Sequence, residues 1–240
     1  MRDAMFAYEP FIRLGAFGGV FTVMAIWELV GPRRKQAIGR GMRWPSNLGV
    51  VVVDTLLVRL VFPITAVGLA LVAEAHGWGL FNEITLPVSI AVFAPVVLLD
   101  LAIYFQHVLF HAVPALWRLH RMHHADLEFD VTTGLRFHPI EIALSMLIKF
   151  AVVAAIGAPA LSVLVFEVLL NATSMFNHTN MRIPTWIDRV LRWLVVTPDM
   201  HRVHHSTWRA RPTAILVSTC LGGIACSAPT RLNPRRVTRR

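Results

Sequence analysis

Eight of the eleven histidines in this chain fall into three tight groups: His107-x-x-x-His111, His120-Arg121-Met122-His123-His124 and His201-Arg202-Val203-His204-His205. On a helix, residues spaced i, i+3 and i+4 share one face, so each group points its imidazoles the same way. Neutral imidazoles suit iron, copper, zinc or nickel. Four ligands complete a structural zinc and three serve a catalytic one, so eight converging imidazoles are too many for one ion and imply two metals. A lone histidine on an apolar face is ordinarily a satisfied structural residue, which is enough for His76 in a short outer loop. That explanation fails for a repeated His-x-x-His-His, whose imidazoles would repel one another if protonated.

Other residues belong around these groups. His178, in Phe176-Asn177-His178-Thr179-Asn180, is a candidate ninth ligand. In Arg136-Phe137-His138-Pro139-Ile140-Glu141, Glu141 is placed beside the ligands, and His138 is read either as a neighbour of the ligands or as a structural residue, because Pro139 marks a helix start more than a ligand face. Asp100 lies two turns before His107 on the same helical face, where a carboxylate could accept the outer N–H of a ligating imidazole. No catalytic group is expected apart from the metal ligands.

The elements that position these groups are read from hydropathy. A membrane helix needs about 20 mainly apolar residues to cross a core of about 30 Å. Three stretches qualify: Phe11 to Val30, Leu48 to Ala75 and Ile84 to Phe105. A fourth, Ile142 to Leu170, is interrupted by Gly157-Ala158-Pro159, a turn signal inside an otherwise overlong helix. The expectation is an all-α integral membrane protein of three to four spans or hairpins, carrying a helical histidine-box metal site. The basic loop from Arg33 to Arg43 is assigned to the cytoplasm by the positive-inside rule, so the third helix delivers His107 to that face. Reading the fourth stretch as a hairpin puts all three histidine groups on one side; a single span would separate them by a membrane. Asp54, Arg59, Lys149 and Glu167 fall within the spans, with Asp54 and Lys149 read as snorkelling near interfaces.

Composition agrees with a membrane setting: 55% of the 240 residues are hydrophobic and 15% charged, and the mean hydropathy is +0.58. Lys and Arg number 23 against 14 Asp and Glu, a net +9, concentrated at Arg33, Arg34, Lys35, Arg40 and Arg43 and in the last thirty residues. Basic clusters beside apolar spans suit anionic headgroups, and no nucleic-acid partner is expected. Cys220 and Cys226 fit neither a metal finger nor a disulfide framework. The polar N-terminus around Arg2, Asp3 and Glu9 reads as the approach to a first membrane helix and not as a cleavable signal.

The histidine groups, with Asp100, Tyr104, Leu116-Trp117-Arg118 and Pro198, resemble the fatty acid hydroxylase and sterol desaturase superfamily over roughly Asp100 to Trp208. The resemblance implies a di-iron centre of two iron ions, with O2 as co-substrate, that hydroxylates or desaturates a lipid such as a sterol or fatty acid. It implies His107, His111, His120, His123, His124, His201, His204 and His205 as metal ligands. No haem, flavin or iron–sulfur motif is visible, so an external electron donor of ferredoxin or cytochrome type is implied, docking on the basic cytoplasmic face. The domain division expected is 1–95 for N-terminal membrane helices, 96–210 for the hydroxylase-like domain and 211–240 for an atypical tail.

That tail departs from the family pattern. Members follow the third box with Asp-x-Asn-(Tyr or Phe)-Gly and then Trp-Asp-x-x-Phe-Gly-Thr, whereas here Arg211-Pro212-Thr213-Ala214-Ile215-Leu216 leads to a basic end. Back-translated and read from the third base of each codon, the tail accommodates Thr-Asp-Ser-Asn-x-Gly, and later Trp-Asp-Arg-Leu-Phe-Gly-Thr-Tyr from Gly222 through Pro229. A frameshift near Arg209 to Arg211 is inferred, with weakened activity as its consequence.

Two other classes compete. A non-catalytic membrane metal-binding or transport protein would line a path through the bilayer with ionisable residues, whereas these histidines gather at one face. A zinc hydrolase would be expected to carry His-Glu-x-x-His, which the chain lacks.

Overall fold

The computed structural model describes residue 6 and residues 8–206. The inferred frameshift and the two cysteines lie outside the described residues. Regular structure among the described residues is helical, apart from an isolated antiparallel bridge between Pro32 and Met181. In chain order the helices are α1 (Glu9–Val30), α2 (Arg40–Val61), α3 (Ala66–Ala75), α4 (Leu80–Glu83), α5 (Val88–Ala112) and α6 (Pro114–His124). A 3-10 turn, Thr133–Leu135, precedes α7 (Pro139–Ile156), α8 (Ala160–Asn177), α9 (Thr185–Leu191) and α10 (Pro198–His204).

Prolines and one glycine set most of the boundaries that matter for the site. Pro114, Pro139 and Pro198 each occupy the first turn of a helix, where the missing N–H has no intrahelical partner to lose. His138 caps α7 by accepting a hydrogen bond from Ile140 N at 3.1 Å. α7 ends at Gly157, which adopts the left-handed conformation (φ 65°, ψ 43°), and Pro159 opens α8. The fourth apolar stretch is therefore a hairpin of two 18-residue helices, and both of its outer ends lie on the histidine side. The hairpin tip abuts the turn before α4: a Cβ on Gly79 would lie 2.1 Å from Gly157 N.

Among the described residues, five helical segments are long and apolar enough to cross a membrane: Glu9–Val30, Arg40–Glu83, Val88–Ala112, Pro139–Ile156 and Ala160–Asn177. The second differs from the single helix read over Leu48 to Ala75. It begins eight residues earlier and breaks between Val61 and Ala66, because Pro63 forces Phe62 into an extended conformation. Thr65 then restarts the helix, its Oγ1 accepting from Gly68 N at 3.0 Å. Where α3, α5, α7 and α8 meet, Ala66, Ala70, Leu99, Val153, Ala160, Val163 and Phe166 form the main buried cluster. Small residues let the helix backbones approach closely, as membrane bundles require. Large apolar side chains such as Leu14, Leu56, Leu60, Val88 and Phe93 face outward.

The basic segment between α1 and α2 is used differently from the sequence reading. Arg33 pairs with Asp199, Arg34 with Glu128 and Arg40 with Glu28. Arg43 holds Asp126 through two contacts, at 2.9 and 2.6 Å, and reaches Asp130 at 2.6 Å. Arg34 and Arg43 turn toward the loop after α6, which is buried and acidic; Asp130, Val131 and Thr132 are 0% exposed. Such a loop needs internal partners for its polar groups. Glu28, itself 0% exposed, accepts from Val131 N and Asn180 N at 2.8 Å each, joining α1 to both flanks of the hairpin. Lys149 likewise does not snorkel. Its Nζ lies 2.6 Å from Glu167, which also takes Arg13 at 2.6 Å, so α1, α7 and α8 share a buried ion triad.

Candidate metal centre

α5 presents His107 and His111, and α6 presents His120, His123 and His124. α10 carries His201 and His204, and His205 caps its end. His178 stands at the C-cap of α8, the hairpin's return. The fold sorts these nine imidazoles into two tetrads. His107, His111, His120 and His204 form one, and His123, His178, His201 and His205 the other; His124 joins His204 and His205 between them. Within each set the candidate ligand atoms all lie within 4.8 Å of one another. Each tetrad draws on elements that precede the hairpin and elements that follow it.

The hydrogen bonds on the outer ring nitrogens decide what the inner ones can do. His178 Nδ1 donates to the Ser174 carbonyl at 2.7 Å, and His123 Nδ1 donates to the Arg136 carbonyl at 3.2 Å. In the neutral tautomer this leaves lone pairs on both Nε2 atoms, which nevertheless face each other at 3.0 Å. Two facing acceptors cannot bond to each other; a cation between them can satisfy both. His178 Nε2 is also 2.8 Å from His201 Nε2 and 3.2 Å from His205 Nε2, and the last two are 3.1 Å apart. Nitrogens held about 2.1 Å from one metal at right angles stand about 3.0 Å apart, so these edges match a shared ion.

The first tetrad repeats the pattern. His107 Nε2 and His204 Nε2 are 3.1 Å apart, and His120 Nδ1 is 2.7 Å from Glu141 Oε1. A carboxylate on the outer nitrogen fixes the tautomer and raises ligand basicity. The inward Nε2 atoms of His111, His120 and His124 are buried without a hydrogen-bond partner. Burial pushes His123, His201 and His205 well below the usual imidazole range, and neighbouring imidazoles push them further. Burial likewise lowers His178, to about 3, against the opposing pull of its bond to Ser174. Neutral rings keep their lone pairs for a metal.

All nine histidines named from the sequence are thus brought together, and Glu141 sits against His120. Asp100 is buried, 2% exposed, on α5 two turns from His107. His138 is not among the metal-grouping side chains and serves as the α7 cap, while His76 is exposed with Nδ1 on the Val72 carbonyl. The Ser174 and Arg136 carbonyls could not be named from the sequence, since any residue carries one.

A cavity of about 420 Å³ opens directly beneath the imidazoles and runs between α1, α2, α5, α7 and α8. His107, His123, His178 and His201 line one end, and Phe17, Val51, Ile103, Met146 and Leu170 form apolar wall. Helices of spanning length, paired imidazole tetrads that could hold metal and a lipophilic cavity below them define a membrane-type protein. The model of the fatty acid hydroxylase family matches residues 92–218, a little over half of the chain, and the protein belongs to that family. It is similar to an ornithine lipid hydroxylase of Rhizobium tropici, 28% identical over 120 residues, half of this chain and 35% of that protein. It is also similar to an alkylglycerol monooxygenase of Xenopus tropicalis, 29% identical over 109 residues, 44% of this chain and 23% of that protein. The matches therefore span about a third and a quarter of those relatives' lengths. No solved structure matches the chain.

Proposed function

We propose that the protein is a membrane-bound, O2-dependent di-iron oxidoreductase that hydroxylates or desaturates a lipid. The observation that carries this reading is the pairing of inward imidazole lone pairs at 2.8–3.2 Å, with tautomers fixed from outside, above a cavity lined by apolar side chains. One metal would be held by His107, His111, His120 and His204 and the other by His123, His178, His201 and His205, with His124 between them. Nitrogen-rich sites of this kind accept iron, and membership of the family favours iron over zinc or copper. When bound, two irons supply the reduction of dioxygen and the removal of hydrogen from an unactivated C–H bond.

The chain's own contribution is placement and exclusion of water. Glu141, Ser174 and Arg136 hold the outer ring nitrogens, and the buried loop closed by Arg43 and Glu28 shields the centre from the aqueous side. The cavity delivers the lipid chain from the bilayer side. Electrons come from an external donor of ferredoxin or cytochrome type, and the positive-inside rule puts the centre at the cytoplasmic face. Transport of metal is less well supported, because the charges along the cavity include Arg13 and Lys149, which repel cations and are closed on Glu167.

The test is metal analysis of purified protein with Mössbauer spectroscopy, alongside lipid profiling of cells with and without the gene. Two coupled irons per chain and a lipid gaining a hydroxyl or a double bond are expected. A single metal in active protein, or an unchanged lipid profile, would count decisively against the reading.

A further inference from the structure

One carboxylate on the cavity wall has no role in the metal centre. Asp54 lies on α2 within a membrane-spanning segment, is 7% exposed, and lines the cavity. It makes no hydrogen bond or ion pair among the described residues, and its Oδ1 is wholly buried without a partner. Other polar groups nearby behave otherwise. Glu167, on the same wall, is held between Arg13 and Lys149, and Asn47, two turns earlier on α2, bonds to Asp126 and Thr132. The seven residues from Asn47 to Asp54 place the carboxylate about 10 Å further from the loop that closes the histidine side.

A buried acceptor without a donor is costly, and an ionisable group inside a membrane span marks a functional position by default. Three further unpartnered acceptors, Gln106 Oε1, Glu141 Oε2 and Asn177 Oδ1, stand beside the histidines and belong with the metal centre. Asp54, on α2, is not next to a histidine in sequence and bonds to none. Of the cations on the wall, Arg13 and Lys149 are already paired, and Arg59 makes no ion pair with Asp54. Asp54 Oδ1 receives no donor from this wall.

We propose that Asp54 is a specificity-determining residue: it accepts hydrogen bonds from hydroxyl or amino groups on the lipid, holding the apolar remainder along Phe17, Val51, Ile103 and Leu170 toward the imidazoles. This rests on the lipid-oxidoreductase reading and narrows its substrate to lipids that carry donors. To the ionised Asp54 carboxylate, a fatty chain ending in an ester, or an ionised acid, offers no donor and is disfavoured.

The experiment uses metal-loaded full chain in phosphatidylcholine nanodiscs. The probes are an alkylglycerol with both hydroxyls free and its dimethyl ether, and retention is read by native mass spectrometry without turnover. A charge-assisted bond of this kind predicts retention of the diol over the ether by about 10- to 100-fold. Asp54→Leu should abolish that preference by weakening diol retention alone. Asp54→Asn, whose amide oxygen still accepts, should keep part of it. Both variants should hold as much iron as the wild type, which also shows that they fold. Equal retention of the two probes by the wild type, or an undiminished preference in Asp54→Leu, overturns the proposal. Preference for the diol in a protein that oxidises no lipid would sink the enzymatic reading and leave the Asp54 contact standing.

Discussion

His178 offers the sharpest test of the two-tetrad arrangement, because a histidine outside the three boxes has no reason to matter unless the second metal position exists. Its Nε2 lies 2.8, 3.0 and 3.2 Å from the Nε2 atoms of His201, His123 and His205. Removing it takes one nitrogen of four from that position and none from the other. A four-ligand site binds with about 10–16 kcal/mol in favourable cases, or roughly 2.5–4 kcal/mol per nitrogen. His178→Ala should therefore weaken the second metal by about two to three orders of magnitude, leaving the first in place. Titration with a competing chelator, read by metal analysis of folded, monodisperse protein, should show one tightly and one weakly held iron. His111→Ala should give the complementary loss in the first tetrad. If His178→Ala retains both metals with unchanged affinity, the second tetrad is not a metal position and the lone-pair argument fails.

Glu141→Gln should lower affinity at the first position by about 10- to 100-fold, because the amide orients His120 without the carboxylate's charge; the same chelator titration reads it. Glu167→Gln should lower the stability of the bundle in detergent by about 3–5 kcal/mol, since Lys149 would stay buried without its counter-charge, while Arg13 keeps Glu9. A cysteine introduced at Leu127, 77% exposed, and another at Ser206 should react with an impermeant reagent from one side of the membrane, and one at His76 from the other. Labelling of Leu127 and Ser206 from opposite sides would refute the hairpin topology. For the tail, restoring the alternative reading frame near Arg209 to Arg211 should raise metal retention and turnover. Equal activity of the unaltered chain would show that its tail is a true variation.

What could be read in advance was whatever local periodicity encodes. The i, i+3, i+4 spacing of the boxes places imidazoles on one helix face whatever surrounds them, and Gly157-Ala158-Pro159 breaks a helix by backbone chemistry alone. His178 carried no such signal, since a single histidine becomes a ligand only when a distant helix brings partners to it. The basic segment misled for a related reason. Arg43 beside an apolar span looks like a headgroup contact until the acidic loop, 83 to 87 residues later, folds against it. Pro63 was legible but outweighed, because hydropathy averages across a proline, and Pro45 and Pro95 do sit inside continuous helices.

Both tetrads need α10, and this sets an order of assembly. His107 and His204 are 97 residues apart. At roughly 5–20 residues per second, the ribosome needs about 5–20 s to make that interval, whereas a helix forms in microseconds. During that time α5 and α6 present five imidazoles with no partner from the far side of the hairpin. The bundle must therefore be inserted and the hairpin returned before either position can close. A metal bound there would be a late clamp on a finished scaffold, tying the last helix of the site to the first ones made.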